Sequence, residues 1–491
     1  MNNRFIVAVF FIFTLGSLHL QAQNKTQSLS LEESINIAKD NSPLSRAATY
    51  NLIAAKWRYK SFRADLLPSF DLSGDAPNFN NQIFANVQDD GRVVFSRRTQ
   101  SEASIGFSAN QNILPTGGNL SVSTGITRLG IFNQENTYAW QSTPLIASYT
   151  QPLFQFNSLK WRNKIEPLRF KIAEKQFVED LEDLSFTVAQ NFFDVLISKI
   201  NVEIAEFNVT VNDSIYNISK GRFEVGNLAE NDLLQTELQY RNAETSLINA
   251  RLNYTRAEEN FKALLGVDDN IILEIVAPET APQVNLDFDK ALSLALENNS
   301  QSLQFRLNEI QANQSYDQAR KNAGFSATLR ADYGLNQTST EFNQLYTDPD
   351  NRQFFTLGFQ IPIFNWGKQI AEIKSARNQQ LATANSIEYQ RLQFELSVRS
   401  TVREFELLKG QVDLAETSDD IAQRRYDVSR NRYLIGKIDI TNLFIAQNEK
   451  DSARRNYIQA LRNFWTGYYN LRRLTLYDFE QDVPITYQIE L

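Results

Sequence analysis

Two periods divide the apolar positions of this chain. Between about Leu159 and Tyr216, the residues Phe177, Leu181, Leu184, Val188, Phe192 and Val195 recur every three or four positions, the interval that lines one stripe of an α-helix. Later, Leu247, Ala250, Tyr254, Ala257, Phe261 and Leu264 step by three and four in alternation, and Tyr457, Ala460, Phe464, Gly467, Leu471 and Leu474 repeat the pattern. This spacing is a heptad seam, and the small residues alternating with large ones let two helices approach closely. At 1.5 Å per residue the helix from about Leu159 to Tyr216 spans roughly 87 Å, and one over Asn227 to Leu265 roughly 58 Å. A helix over about Asn41 to Leu67 adds roughly 40 Å, so two shorter helices end to end match the long one. Helices of this length suit a rod or a tube better than a globular domain.

The second period is two. Phe355, Leu357, Phe359 and Ile361 alternate with Thr356, Gly358 and Gln360, while Leu329, Ala331, Tyr333 and Leu335 alternate with Arg330, Asp332, Gly334 and Asn336. Each stretch reads as a strand of about ten residues with one apolar and one polar face. That pattern fits a half-buried soluble sheet, and it fits the wall of a transmembrane barrel with a watery lumen.

The whole pattern occurs twice. LSLEESINIAKDNS, from Leu29, matches LDFDKALSLALENN, from Leu286, at an offset of 257 residues, and QPLF (Gln151 to Phe154) matches IPIF (Ile361 to Phe364) at an offset of 210. The second register runs without a gap into KGRFEVGNLAENDLLQ, from Lys220, and SRNRYLIGKIDITNLFIA, from Ser429. There Arg222, Phe223 and Gly226 reappear as Arg432, Tyr433 and Gly436. The 47 residues by which the offsets differ lie between about Asp75 and Ser148, so the first copy holds material that the second lacks. Self-similarity on this scale is the mark of a duplication. The expected organisation is a first repeat over 23–266, a linker over 267–285, a second repeat over 286–475 and a tail over 476–491.

Composition narrows what such a chain can do. With 491 residues, 42% hydrophobic and 12% aromatic, there is ample apolar material for a large core. Met1 to Ala22 carries one positive charge, Arg4, an apolar run from Phe5 to Leu15 and small or polar residues at its end. This is the layout of a secretory signal peptide over residues 1–22. No other segment approaches the ~20 uncharged residues of a transmembrane helix, so any membrane must be crossed by strands. The single histidine, His19, lies in the leader, and there is no cysteine. Imidazole bases, thiol nucleophiles, His/Cys zinc sites and disulfides are excluded together. Carboxylate-pair hydrolysis stays formally open but has no supporting motif. Neither cofactor nor metal is expected. With 49 basic against 57 acidic residues and a formal charge of −8, a nucleic-acid partner is not expected either.

In their order along the chain, the two-copy layout, the QPLF and IPIF strand ends and the two R-aromatic-x-x-G turns resemble the outer membrane efflux (TolC) family over essentially the whole mature chain. The resemblance implies a mixed α and β fold, an outer-membrane β-barrel continued by a long periplasmic α-helical, coiled-coil barrel. Its two repeats per chain would make pseudo-sixfold walls from a homotrimer. It implies a passive duct rather than an enzyme, set in outer membrane lipid and working with a periplasmic adaptor protein and an inner-membrane transporter. Cargo would be drugs, toxic small molecules or a secreted protein, as in efflux or type I secretion. The other reading, of a different class, is a periplasmic coiled-coil scaffold without a pore.

The repeated turn is in the first place a helix-to-helix connection whose glycine takes the left-handed C-cap geometry. By resemblance it is also the tunnel tip that an adaptor grips, which makes Arg222, Gly226, Arg432 and Gly436 the candidate docking residues. Aligned on the glycines, Tyr433 falls where the family has a gate tyrosine and Asp232 where its acidic partner lies. Ile438 stands where an arginine is expected, with Lys437 adjacent. Of the lumen-facing acidic ring, the first carboxylate falls on Asn442 and the second on Ile445, leaving Asp439 one turn away as the nearest charge.

Within the 47 extra residues, Ile105, Phe107 and Ala109 alternate with polar neighbours, LPTGG (Leu114 to Gly118) turns the chain, and Leu120, Val122, Thr124 and Ile126 alternate again. Longer polar segments flank this hairpin, Asn78 to Ser101 and Gly130 to Thr143, and read as outer loops. The hairpin suits two additional membrane strands, which give about 18 in a trimer against about 12 for a four-strand subunit, or an extracellular hairpin at the mouth.

Overall fold

The computed structural model describes residues 26–132, 136–268, 270–278, 284 and 286–487. The expected leader, with His19, lies outside them. In chain order the described residues form β1 (Thr26–Leu29), α1 (Leu31–Asn41), α2 (Pro43–Ala64), β2 (Ser69–Val87), β3 (Val93–Ile113), β4 (Gly118–Phe132), β5 (Asn136–Leu153), α3 (Ser158–Glu224) and α4 (Glu230–Leu265). There follow β6 (Ile272–Ile275), α5 (Phe288–Asn298), α6 (Ser300–Asn322), β7 (Ser326–Ser339), β8 (Asp350–Gln360), α7 (Lys368–Leu434), α8 (Ile440–Thr475), β9 (Tyr477–Asp478) and β10 (Val483–Pro484).

Helices α3 and α7 have 67 residues each and α4 and α8 have 36 each, and every bound of the later pair lies 210 positions after its counterpart. The apolar stripe suggests an end for α3 near Tyr216, yet the helix continues to Glu224. Its last turns are rich in short polar side chains, which satisfy themselves on the helix: Thr210 Oγ1 donates to the Glu206 carbonyl and Ser214 Oγ to that of Thr210. The helix expected over Asn41 to Leu67 begins at Pro43, because Ser42, preceding a proline, is held extended at φ −59°, ψ 139°. The helix expected to begin at Asn227 begins at Glu230, after a short connection.

The chain forms two compact units. The first takes in the described residues of Met1–Pro43, Thr187–Ala281 and Leu414–Arg462. Its core includes Phe192, Phe193 and Phe261, with Phe192 meeting Phe261 edge to face at 6.2 Å. β1 and β6 pair in parallel beside α1, whose first turn is closed by a capping box of Ser30 and Glu33. Gly266 ends α4 at φ 70°, and a Cβ there would lie 2.5 Å from the Asn41 carbonyl oxygen, so only glycine fits.

The second unit takes in Leu44–Phe186, Pro282–Asp413 and the described residues of Asn463–Leu491. Its main feature is a six-stranded antiparallel sheet in the order β2-β3-β4-β5-β7-β8, open at the edges β2 and β8. Cross-strand register keeps the apolar positions on one face: Leu120 stands opposite Tyr149, Tyr149 opposite Ala331, and Ala331 opposite Phe355. The other face carries Asp71, Ser108, Ser121, Thr150, Arg330 and Thr356. The polar segments read as outer loops are largely strand, since β2 continues to Val87, β3 starts at Val93 and β5 starts at Asn136. Phe79, Ile83 and Phe95 stay exposed on one face, but Ser101 stands opposite Phe79 and Arg97 opposite Ile83 on that same face, and these interposed polar residues hide the alternation from a reading of the sequence.

Beneath the heptad seam, Gly467 of α8 faces Leu408 and Phe405 of α7, the close approach that the small residue allows. A buried ionic cluster fixes the chain after α8. Arg472 pairs with Glu182 of α3 at 2.9 Å and with Asp478 at 2.5 Å, and Glu182 also accepts from the Tyr487 hydroxyl. Burial pushes the phenols of Tyr468 and Tyr487 well up, while the two carboxylates keep the Arg472 guanidinium charged.

Candidate functional site at the helix-hairpin tips

Both turns close in the same way. The Gly226 amide donates to the Phe223 carbonyl at 2.9 Å and Asn227 to Arg222 at 2.8 Å, while Gly436 donates to Tyr433 and Lys437 to Arg432, each at 2.9 Å. This is the Schellman motif, and it needs the left-handed residue that the glycines provide at φ 76° and 71°. The residue before each glycine is a bare apolar tip, Val225 at 69% and Ile435 at 66% exposure. Neither position was singled out from sequence. Their signal is a β-branched residue placed before the glycine in both copies.

The following helices start differently. α4 has Ala229 at its N-cap and no side-chain cap, whereas Asp439 caps α8, accepting from the Asn442 amide at 2.8 Å and from its side chain at 3.0 Å. Asp439 and Asn442 are thus a capping pair, with a negative charge at the positive end of a helix. Lys437 and Arg432 are exposed.

The two turns of one chain are locked together through side chains. Tyr433 is 4% exposed, packed with Ile215, Tyr426, Ile440, Leu443 and Phe444. Its hydroxyl meets Ser219 Oγ of α3 at 3.3 Å. The Arg222 guanidinium lies 5.4 Å from the Tyr433 ring centre and donates to the Leu434 carbonyl at 3.2 Å. Within one chain, then, Tyr433 is joined to Ser219 and Arg222, and Asp232 is half-buried on α4. Ser219 is a partner that alignment on the glycines does not reveal, because it precedes the turn and is 214 residues from Tyr433 in sequence.

Above the tips the packing between α3, α7 and α8 becomes polar. Asn208 donates to Asp451 at 2.6 Å and accepts from Gln447 at 2.6 Å, while Lys450 lies 4.1 Å from the Phe207 ring centre and 4.8 Å from that of Tyr426. The Tyr426 hydroxyl and both side-chain polar atoms of Asn212 are buried without a hydrogen-bond partner, and burial pushes the Tyr426 phenol up. Among the described residues no group of His, Asp or Glu is disposed to hold a metal, and no helix is long and apolar enough to cross a membrane.

Comparison with known proteins agrees with this architecture. The family model described as outer membrane efflux protein matches residues 34–267 and 291–475. The outer membrane protein TolC of Escherichia coli (strain K12) is 24% identical over 335 residues, 63% of this chain and 66% of that protein. The alkaline protease secretion protein AprF of Pseudomonas aeruginosa is 22% identical over 356 residues, 69% of this chain and 71% of its own. The matches to TolC thus span about two thirds of that relative's length. Among solved structures, the Campylobacter jejuni CmeC outer membrane channel superimposes with a TM-score of 0.66 at 15% identity, covering 99% of this chain and 96% of that one. VceC of Vibrio cholerae gives 0.63 at 13%, covering 91% and 95%. These likenesses establish the fold. Because the family model covers both halves of the chain, the protein is an outer membrane protein and belongs to the outer membrane efflux protein family.

Proposed function

We propose that three copies of this chain form a passive exit duct across the outer membrane and into the periplasm. The observation that carries the reading is an open six-stranded sheet with one apolar face, in a chain whose long helices end in two tips of identical backbone design. In lipid, unpaired strand edges are not tolerated, so β2 and β8 require strands from other copies, and closure makes a barrel with the polar face inside. A pore-free periplasmic scaffold would have no use for that apolar face.

Val225 and Ile435, with Arg222, Arg432 and the two glycines beside them, form the surface that a periplasmic adaptor grips, and an inner-membrane transporter supplies the energy. Tyr433, with Ser219, holds the tips closed, and Asp232, Lys437, Asp439 and Asn442 line the approach. The polar inner face is generic, so the transporter selects the cargo. AprF serves protease secretion by its name, which makes secreted protein one cargo class beside toxic small molecules. Three measurements test the reading: mass in gentle detergent, where a trimer is expected, conductance of that trimer in planar bilayers, and accumulation of a fluorescent efflux dye in cells lacking the gene, which is expected to rise. A monodisperse monomer, or a purified trimer that never conducts in planar bilayers, overturns it.

A further inference from the structure

We infer that the β3–β4 hairpin is part of the lipid-facing barrel wall, so that each chain sends six strands through the outer membrane. This rests on reading the sheet as a barrel wall. Both hairpin strands are fully embedded in the sheet, with β3 pairing β2 from Asn110 outward and β4 pairing β5 over Asn119 to Phe132. Register carries the apolar face through them: Phe70 stands opposite Ala109, Ala109 opposite Val122, Val122 opposite Ala147, and Ala147 opposite Tyr333. Phe107, Ile105, Leu120 and Val122 are exposed on that face, as are Leu357 and Phe359 of β8.

The turn of the hairpin lies at the helix end of the sheet. Asn157, just before α3, donates to the Leu114 carbonyl at 3.0 Å, Gln151 donates to that of Thr116 at 3.0 Å, and Gln111 donates to that of Leu66 after α2 at 3.0 Å. A hairpin capping an extracellular mouth would turn at the opposite end. This short turn instead sits where β2 and β5 meet their helices, so the two added strands run the same course as their neighbours.

Aromatic clusters mark both limits of the band. At one end Arg128 stacks on Tyr138 and Trp140, with Trp140 against Phe342 at 5.1 Å; at the other Phe154 meets Phe325 at 5.6 Å and Phe364 meets Trp366 at 4.8 Å. Between them β5 runs from Trp140 to Leu153. That is about 44 Å along the strand and about 31 Å along the membrane normal at the usual tilt, close to the hydrocarbon thickness. β4 has 15 residues and β3 has 21, ample for the ~10 that one crossing needs.

In the trimer this makes a barrel of about 18 strands, roughly one and a half times as wide as one of about 12. The widening needs no extra helices, because the added strands are joined by a turn rather than by a helix. A barrel this size leaves an open aqueous channel, so closure falls to the periplasmic tips.

The chain has no cysteine, so single cysteines report directly. Phe107→Cys and Val122→Cys probe the apolar face of the hairpin, Ser108→Cys and Ser123→Cys its polar face, and Leu357→Cys serves as the barrel reference; each is scored in trimers extracted from intact cells. A membrane-impermeant maleimide is expected to label the two serine positions and to lose its reaction at Phe107, Val122 and Leu357. Bimane on Val122→Cys, in vesicles of phosphatidylcholine brominated on its acyl chains, is expected to be quenched as it is on Leu357→Cys. Should Phe107→Cys not assemble, Ile105→Cys replaces it. Ready labelling at Phe107 and Val122 without quenching, while Leu357 stays protected, overturns the hairpin placement alone. Labelling at Leu357 as well overturns the barrel reading, and this inference with it.

Discussion

The contact between Tyr433 and Ser219 offers a quantitative test of how the tips stay closed. Both groups are buried, Ser219 at 0% and Tyr433 at 4% exposure, and their hydroxyls are 3.3 Å apart. That distance is long for a hydroxyl pair, so its net value belongs in the lower half of the usual range, about 1 kcal/mol or somewhat less. Tyr433→Phe removes the bond but keeps the ring beneath Arg222, so packing is nearly unchanged. One such loss shifts the closed-to-open ratio about fivefold. If three tips open together, the losses sum to about 3 kcal/mol and the ratio moves by roughly a hundredfold. Open probability in planar bilayers, measured for wild type, Ser219→Ala, Tyr433→Phe and the double variant, reads this directly. Each single variant is expected to open more often, and the double variant little more than Tyr433→Phe, because both remove the same bond. Fully additive effects, or unchanged gating in intact trimers, would refute the reasoning.

Further outcomes follow from other contacts. Arg472→Leu leaves Glu182 and Asp478 buried without their cation, and thermal unfolding in detergent should show a loss of about 3–5 kcal/mol; a loss below about 1 kcal/mol would show the cluster to be solvated. Burial holds the Glu179 carboxyl above its ordinary 4.5 despite hydrogen bonds from Ser300. A raised folded value favours the fold below 4.5 and loses that contribution as pH rises through the folded value, so melting temperature should fall from mildly acidic to neutral pH. Glu179→Gln should flatten this slope, and an unchanged slope would assign it to other groups. Arg432 lies 210 positions after Arg222, and by that offset it should reach the Phe223 ring of a neighbouring copy as Arg222 reaches Tyr433. Arg432→Ala should then lower trimer dissociation temperature in detergent, whereas Arg432→Lys restores only part of it; equal stability in all three proteins would exclude the contact.

Much of this molecule is written in local periodicity. The steps of three and four from Phe177 to Val195, and those from Leu247 to Leu264, mark helices and their inward faces because 3.6 residues per turn return a side chain to the same stripe. The alternation in β7 and β8 marks strands with one apolar face for the corresponding reason of period two. Gly226 and Gly436 could be read as left-handed caps, since few other residues take that backbone without strain. The sequence by itself thus determined the long helices, the alternating strands β7 and β8 and the two glycine turns, but not the strand that runs through the polar segments beside the β3–β4 hairpin. Partners across long separations were decided only by the tertiary structure. Within one chain Tyr433 meets Ser219, 214 positions away, because the rotation of α3 against α7 sets which side chains face one another, and no short-range pattern encodes a rotation. Asp439 spends its charge on the α8 N-terminus, a use visible only once the helix start is known. The course of the β3–β4 hairpin is of the same kind. Its alternation is compatible with membrane or mouth, and what separates them is where its turn comes to rest, on Asn157 and the end of α2, through hydrogen bonds to residues more than forty positions away.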